Sequence, residues 1–339
     1  MNDYKYIASY SIPMSSLIAL NYVGYWSYLT VVYAFIIIPL IEPLFKVDDS
    51  NDDSATQHSK SHSAIFDYLL YLNLPLILSL VMFFLFKVNS GLASWEIFGL
   101  ILSVGIALGS NGINVAHELG HKPEVFKKVC ASLLLLPSLY MHFTIEHNYG
   151  HHKNVATDKD PASAKIGQSV YTFWIVSMVR CYLGAWQIES SRVRRRGKAI
   201  FGLNNTMLIF SGLQLSYLLA IYYLFDYKTM LIYIAMAVVS MLLLETINYI
   251  EHYGLRRSLM PNGRYERVMP IHSWNSNHQL GRIVLYELTR HSDHHYLGHK
   301  KYQNLEHHVE SKQLPYGYPT SMLLSLCPPL WFKIMNPRI

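Results

Sequence analysis

Residues 95–122 read WEIFGLILSVGIALGSNGINVAHELGHK. Up to Ala116 the run is apolar or small apart from Glu96, Ser103, Ser110, Asn111 and Asn114. About 17–25 mostly apolar residues cross a bilayer as a helix. The run then ends directly on HELGH, with His117 and His121 four residues apart. On a helix, that spacing puts two imidazoles on one face. A membrane helix carrying metal-ligand residues at its mouth predicts an all-α integral membrane protein with a site at one end of its bundle.

The rest of the chain extends this reading. Five further segments, 7–24, 26–45, 66–87, 205–225 and 229–250, are long and apolar enough to cross, so with 95–116 six transmembrane helices are expected. Of the 339 residues, 51% are hydrophobic and only 15% charged, against about 25% charged in a soluble domain. That balance excludes a disordered chain or a coiled coil. Cys130, Cys181 and Cys327 form no CxxC pair, which excludes a disulfide scaffold, a zinc ribbon and an iron–sulfur cluster. The start MNDYKYIAS lacks a basic region and a cleavage site, so the first span is expected to remain as an anchor. Segment 129–145 is apolar but short and holds Pro137; it reads as a buried or re-entrant helix. Segment 46–63 is polar and acidic and reads as a flexible linker in which His58 and His62 are solvated.

Orientation follows from Lys and Arg. With both termini inside, 26 of the 28 fall on the inner side, and only Lys87 and Lys228 lie outside. The net charge of +6 and pI near 9.0 therefore report the positive-inside rule, and no nucleic-acid partner is expected. Segments 117–204 and 251–339 become a cytoplasmic, histidine-rich cap on a single integral-membrane domain, 1–339.

Twelve of the 17 histidines lie in 117–152 and 291–308. HELGH supplies His117 and His121, EHNYGHH supplies His147, His151 and His152, and RHSDHH supplies His291, His294 and His295. His252, in NYIEHYG, ends the last span beside the same mouth. A single histidine pair is usually a surface accident, but three clusters and His252 on one membrane face point to metal. HELGH also matches the HExxH pattern of zinc proteases, a reading that leaves the other two clusters unexplained. A metal transporter would place its histidines near the bilayer midplane rather than beyond the span ends. One metal takes four to six ligands, so nine imidazoles imply two, with open positions for a small molecule. Imidazole suits iron, and iron that activates O₂ fits best. Soluble di-iron proteins use Glu-x-x-His sets, which are not paired here.

The three boxes resemble those of the membrane-bound, histidine-rich di-iron superfamily of desaturases and hydroxylases. HELGHK (117–122), EHNYGHHKNVATDKDPAS (146–163), NYIEHYGL (248–255), HSWNSNH (272–278), LTRHSDHH (288–295) and LPYGYP (314–319) are similar to the bacterial alkane 1-monooxygenase family, from about residue 10 to the end. The resemblance implies two iron ions held by His117, His121, His147, His151, His152, His252, His291, His294 and His295. It implies terminal hydroxylation of a medium-chain n-alkane with O₂ in a bacterial inner membrane. It further implies electrons from rubredoxin, itself reduced by an NADH-dependent reductase. YLGHKKYQ after the third box departs from the family, so His299 is not counted as a ligand; His272 and His278 are expected to brace the cap.

A ligating imidazole usually gives its second N–H to a carboxylate or carbonyl. The candidates are Glu118, Glu146, Asp158, Asp160, Glu251 and Asp293, with Asp160 and Glu251 preferred. An alkane offers no hydrogen bond, so selectivity must come from a narrow apolar tube, whose depth Ala34, between Tyr33 and Phe35, is placed to mark. Hydroxylation of another hydrophobic methyl, on a methylarene or fatty acid, is the neighbouring alternative. The run RVRRRGK (192–198) reads as an anchor on anionic membrane lipid or as a docking patch for an acidic carrier.

Overall fold

The computed structural model describes residues 3–339 and is all-helical but for one two-residue strand pair, Trp274–Asn275 alongside Lys312–Gln313 in parallel. Among the described residues five helices are long and apolar enough to span a bilayer: Gly24–Leu44, Ile65–Val88, Ser94–Gly120, Thr206–Leu224 and Tyr227–His252. The chain is an all-α membrane protein. The expected first span differs. Residues Asp3–Tyr10 wind as a 3₁₀ helix and only Ser11–Tyr22 are α-helical. Its five serines between residues 9 and 16 and at 27 are one reason the region is less apolar: Ser15 and Ser16 meet Thr30 at 3.0 and 2.9 Å, and Ser16 donates to the Ser103 carbonyl.

The centre of the bundle is the pair Ser94–Gly120 and Tyr227–His252. Glycines let them approach: a Cβ on Gly105 would lie 2.6 Å from Val239, and one on Gly109 2.6 Å from Leu243. Small residues four apart are the usual means of close helix packing in lipid, where hydrophobicity supplies no drive between helices. By contrast Thr206–Leu224 has few buried side chains and faces outward.

Segment 129–145 is not a span. The helix Val125–Leu135 buries Cys130, Ala131, Leu134 and Leu135, and the chain turns at 136–139 with Leu139 at φ +53°. Pro137 lacks the N–H needed to continue. Segment 46–63 corrects the expectation of a loose linker. Asp53 caps a helix, Ser54–His62, by accepting from the Thr56 N–H, and Gln57 donates to Glu306. Asn51 bonds the backbone of His307, and Arg290 donates to the Ser50 carbonyl. These polar residues are stitched to the cap; His58 and His62 themselves are exposed.

Composition gave no sign of the 26-residue helix Val170–Arg195. It packs on the last span and leaves Tyr171, Ile175, Val179 and Tyr182 exposed along one stripe.

Candidate metal centre

All nine histidines come together, on elements that arrive from different parts of the chain. Ser94–Gly120 brings His117 on its last turn, and His121 follows it. Tyr227–His252 ends on its own ligand candidate. The short helix His291–Tyr296 presents His291, His294 and His295. His147–His151 is a π-turn, closed by the His152 N–H donating to the His147 carbonyl. In an α-helix residues five apart stand about 140° around the axis. The i→i+5 bonding of a π-turn brings them nearer one face, which lets His147 and His152 serve one group while His151 serves another.

The rings form two groups, His117, His121, His147, His152 and His294 in one, and His151, His252, His291 and His295 in the other, each with its candidate ligand atoms within 4.8 Å of one another. The converging atoms are Nε2. His147 Nε2 lies 3.1 Å from those of His121 and His152, and His152 Nε2 3.1 Å from that of His294. His151 pairs with His295, and His252 with His291, again at 3.1 Å. Two nitrogens bound cis to one ion at about 2.0–2.1 Å stand about 3 Å apart. His117 Nε2 is buried with no hydrogen-bond partner. Burial, reinforced by neighbouring imidazoles, pushes His121, His147, His152, His291, His294 and His295 well below the ordinary histidine range. Neutral rings are the form that binds metal. The donor set, its spacing and its orphaned nitrogen fit a metal centre.

The acids divide sharply. Asp160 lies 2.9 Å from His151 Nδ1, on the side away from the convergence, and is itself held by Ser163 and the Ala162 N–H. Burial pushes the His151 ring down, but the charge and hydrogen bond of Asp160, together with the charges of Glu146 and Glu245, hold the ring above the usual range. Glu251 sits differently: its Oε2 is 3.2 Å from His291 Nε2, the inward-facing atom, while Oε1 accepts from Tyr318 at 2.7 Å. The other candidates do not meet ligand histidines. Glu118 pairs with Lys122 and accepts from the Tyr302 N–H, exposed Asp158 meets Lys165, and buried Asp293 holds Lys300 and His308. His272 bonds Met269 and Glu266, His278 bonds Ser276, and His299 is exposed, all outside the two groups.

Glu146, the remaining candidate, lies in a buried polar pocket against His147 and His151 together with Tyr140, His142, Cys181 and Glu245, which sequence reasoning missed. Tyr140 donates to Glu245 at 2.8 Å, and both ring nitrogens of His142 lack partners. Burial first, then the Asp160 charge, pushes the Glu146 carboxyl up to about 8. The available signal was Glu245 itself, a carboxylate within a span, which is rare without a purpose.

An apolar cavity of about 50 Å³ lies within the bundle, walled in part by Ile12, Ala34, Ile38, Leu243, Ile247 and Tyr318. A smaller one shares Ile247 and reaches His117, His147, His291 and Glu251.

With this geometry in view, the relatives are informative. A family model described as fatty acid desaturase matches residues 93–322. Alkane 1-monooxygenase 1 of Pseudomonas aeruginosa is 38% identical over 93% of this chain and 84% of its own length, and alkane 1-monooxygenase 2 of the same species is 35% identical over 98% and 90%. The chain belongs to the alkane 1-monooxygenase family. The hydroxylase component of a xylene/toluene monooxygenase from Pseudomonas putida is a more distant relative, 28% identical over 100% of this chain and 89% of its own. Family membership and the histidine groups together make the site a metal centre of a membrane monooxygenase.

Proposed function

We propose that the protein hydroxylates the terminal methyl of medium-chain n-alkanes with O₂, at two irons held by five and four of the nine histidines. The observation that carries this is the smaller cavity, which reaches His117, His147 and His291 at one end and shares Ile247 with the apolar cavity in the bundle. Bound iron supplies the oxygen-activating chemistry that a strong C–H bond demands and that side-chain acids and bases lack. The chain supplies the rest. The apolar walls exclude water and admit an unbranched chain end-on, so a terminal carbon reaches the histidines first. Asp160 fixes the ring plane of His151 through Nδ1, leaving Nε2 free for metal. Glu251, steadied by Tyr318, faces the metal side of the four-histidine group and acts there rather than as an outer support.

The stronger likeness to alkane 1-monooxygenases, 35–38% identical against 28% for the xylene/toluene hydroxylase component, supports n-alkanes over methylarenes. Rubredoxin, kept reduced by an NADH-dependent reductase, is the proposed donor, because the chain has no Cys₄ electron site of its own. The imbalance of 26 to 2 in Lys and Arg supports six spans, an inner membrane location and a cytoplasmic site. The test is elemental analysis of purified protein, followed by gas chromatography of products from octane and a methylarene with rubredoxin, reductase and NADH. Two irons per chain and 1-octanol are expected. Stoichiometric zinc, or preference for the methylarene, would overturn the reading.

A further inference from the structure

A cleft of about 370 Å³ opens where the helices Val125–Leu135, Val170–Arg195 and Thr206–Leu224 meet, outside the two histidine groups. Three cations line it, Lys128, Arg192 and Arg196. Arg192 is already neutralised. It makes a two-pronged contact with Glu189 at 2.6 and 2.5 Å, and Glu189 also accepts from the Thr206 N–H. Lys128 and Arg196 have no carboxylate partner among the described residues. The cleft therefore holds an uncompensated charge of two, with the hydroxyls of Ser132 and Thr144 on its wall.

Its surroundings are apolar. Phe126, Val129 and Leu133 are exposed on the helix that carries Lys128, and Ile209 and Leu213 on the outward-facing helix opposite. Phe210 belongs to the cleft itself. Thr206, where the span Thr206–Leu224 begins, also lines it, so the cations stand at the end of a membrane helix. Basic side chains above bilayer-facing apolar surface match a phospholipid: phosphate at the cations, acyl chains along the helices. The apolar surface exposed on both walls suits acyl chains rather than the polar face of a soluble acidic protein.

We infer that this cleft binds the headgroup phosphate of an anionic phospholipid from the leaflet on the histidine side. The site touches the metal centre through the backbone. Gly120 and Asn148 line it, Asn148 donates to the Gly120 carbonyl at 3.0 Å, and these residues neighbour His121 and His147. A bound lipid would thus brace two ligand-bearing segments against each other. The inference rests on membrane placement, not on the reaction.

The experiment is native mass spectrometry of the full chain released from vesicles of equal phosphatidylglycerol and phosphatidylcholine, with wild type and the double variant Lys128→Gln, Arg196→Gln. Wild type should retain one phosphatidylglycerol in preference to phosphatidylcholine. The variant should lose that preference by roughly thirtyfold, from about 1 kcal/mol per basic residue. The charge-conserving pair Lys128→Arg, Arg196→Lys should keep it, which separates loss of binding from loss of folding. Equal retention of both lipids by wild type, or undiminished preference in the double variant, overturns the inference. So does inorganic phosphate that binds the cleft without being displaced by phosphatidylglycerol, which would mark a free-anion site. Protection of Lys128 from amine labelling by rubredoxin rather than by the lipid would assign the cleft to the carrier instead.

Discussion

At the level of single residues, the clearest division is between the ring atoms of the histidines. Nε2 atoms converge and Nδ1 atoms face outward, so changes on each side should have different consequences. Asp160→Asn removes the charge that orients His151 but no inward nitrogen. Outer-partner changes typically cost 10–100-fold in metal affinity or activity. Octane turnover should fall within that range, with iron lost from the four-histidine group before the five-histidine group. Glu251→Gln should cost more, because its carboxylate stands at the inward atom of His291; iron titration of the two variants side by side checks the order. His151→Ala and His294→Ala should abolish hydroxylation, whereas His58→Ala and His62→Ala should leave it unchanged, since both are exposed on the helix Ser54–His62. The histidine boxes were legible because their spacing is local. The sides taken by Asp160 and Glu251 were not: both neighbour ligand segments in sequence, and only the fold decides which ring atom each meets.

Among helices, periodicity and apolar length revealed the spans but not the departures from α geometry. Three π segments, Tyr33–Ile37, Leu108–Ile113 and His147–His151, leave no mark in composition, yet the last sorts its histidines between the two groups. The helix Val170–Arg195 was hidden because its mean character is neither apolar nor polar. Its stripe at 171, 175, 179 and 182 was nevertheless readable at helical spacing. Ala34 shows the converse. Its small size between two aromatics raised it as a marker of tube depth, and the structure shows it buried on the wall of the apolar cavity. Ala34→Phe should therefore plug the tube part-way. Turnover of long alkanes should fall at least tenfold relative to short ones, with iron content unchanged, as a product profile across chain lengths will show.

For the whole molecule, distant segments are tied together by charge around Glu287. It pairs with Arg282 at 2.6 Å and Lys5 at 3.0 Å, and accepts from the Tyr6 hydroxyl at 2.8 Å, while Arg282 also reaches Asp48. Lys5 and Tyr6, the 46–63 segment through Asp48, and the cap are thus joined by one ion-paired cluster of Glu287 and Arg282. Burial would push that carboxyl up, but Arg282, Lys5 and Arg290 pull it down to about 2. An unfolded glutamate titrates near 4.3. Because the folded value is the lower one, the stabilisation is fully present above the unfolded value and is lost as pH falls toward 2. The gap corresponds to about 3 kcal/mol. Thermal melts in detergent should therefore be flat from neutral pH to about 5 and decline below it. Glu287→Gln should lower the melting temperature at neutral pH and flatten the acid decline attributable to this site. An unchanged decline in that variant would assign the acid sensitivity to other carboxylates.

Charge on the same scale governs electron delivery. In the proposed six-span topology the nine histidines share their side of the membrane with 26 of the 28 Lys and Arg residues, so an acidic carrier would be drawn toward them. Screening acts beyond about 8 Å at physiological ionic strength. The rate at limiting rubredoxin should fall as salt rises, while the rate at saturating rubredoxin should change little. Arg194 and Arg195 are exposed at the end of Val170–Arg195 and do not line the lipid cleft. Neutralising these two alone, leaving Arg196 in place, should raise the apparent KM for rubredoxin severalfold without altering kcat or iron content. Wild-type donor dependence and an unchanged salt response in that variant would move the docking surface to the 256–312 segment, around Arg256, Arg264 and Lys300.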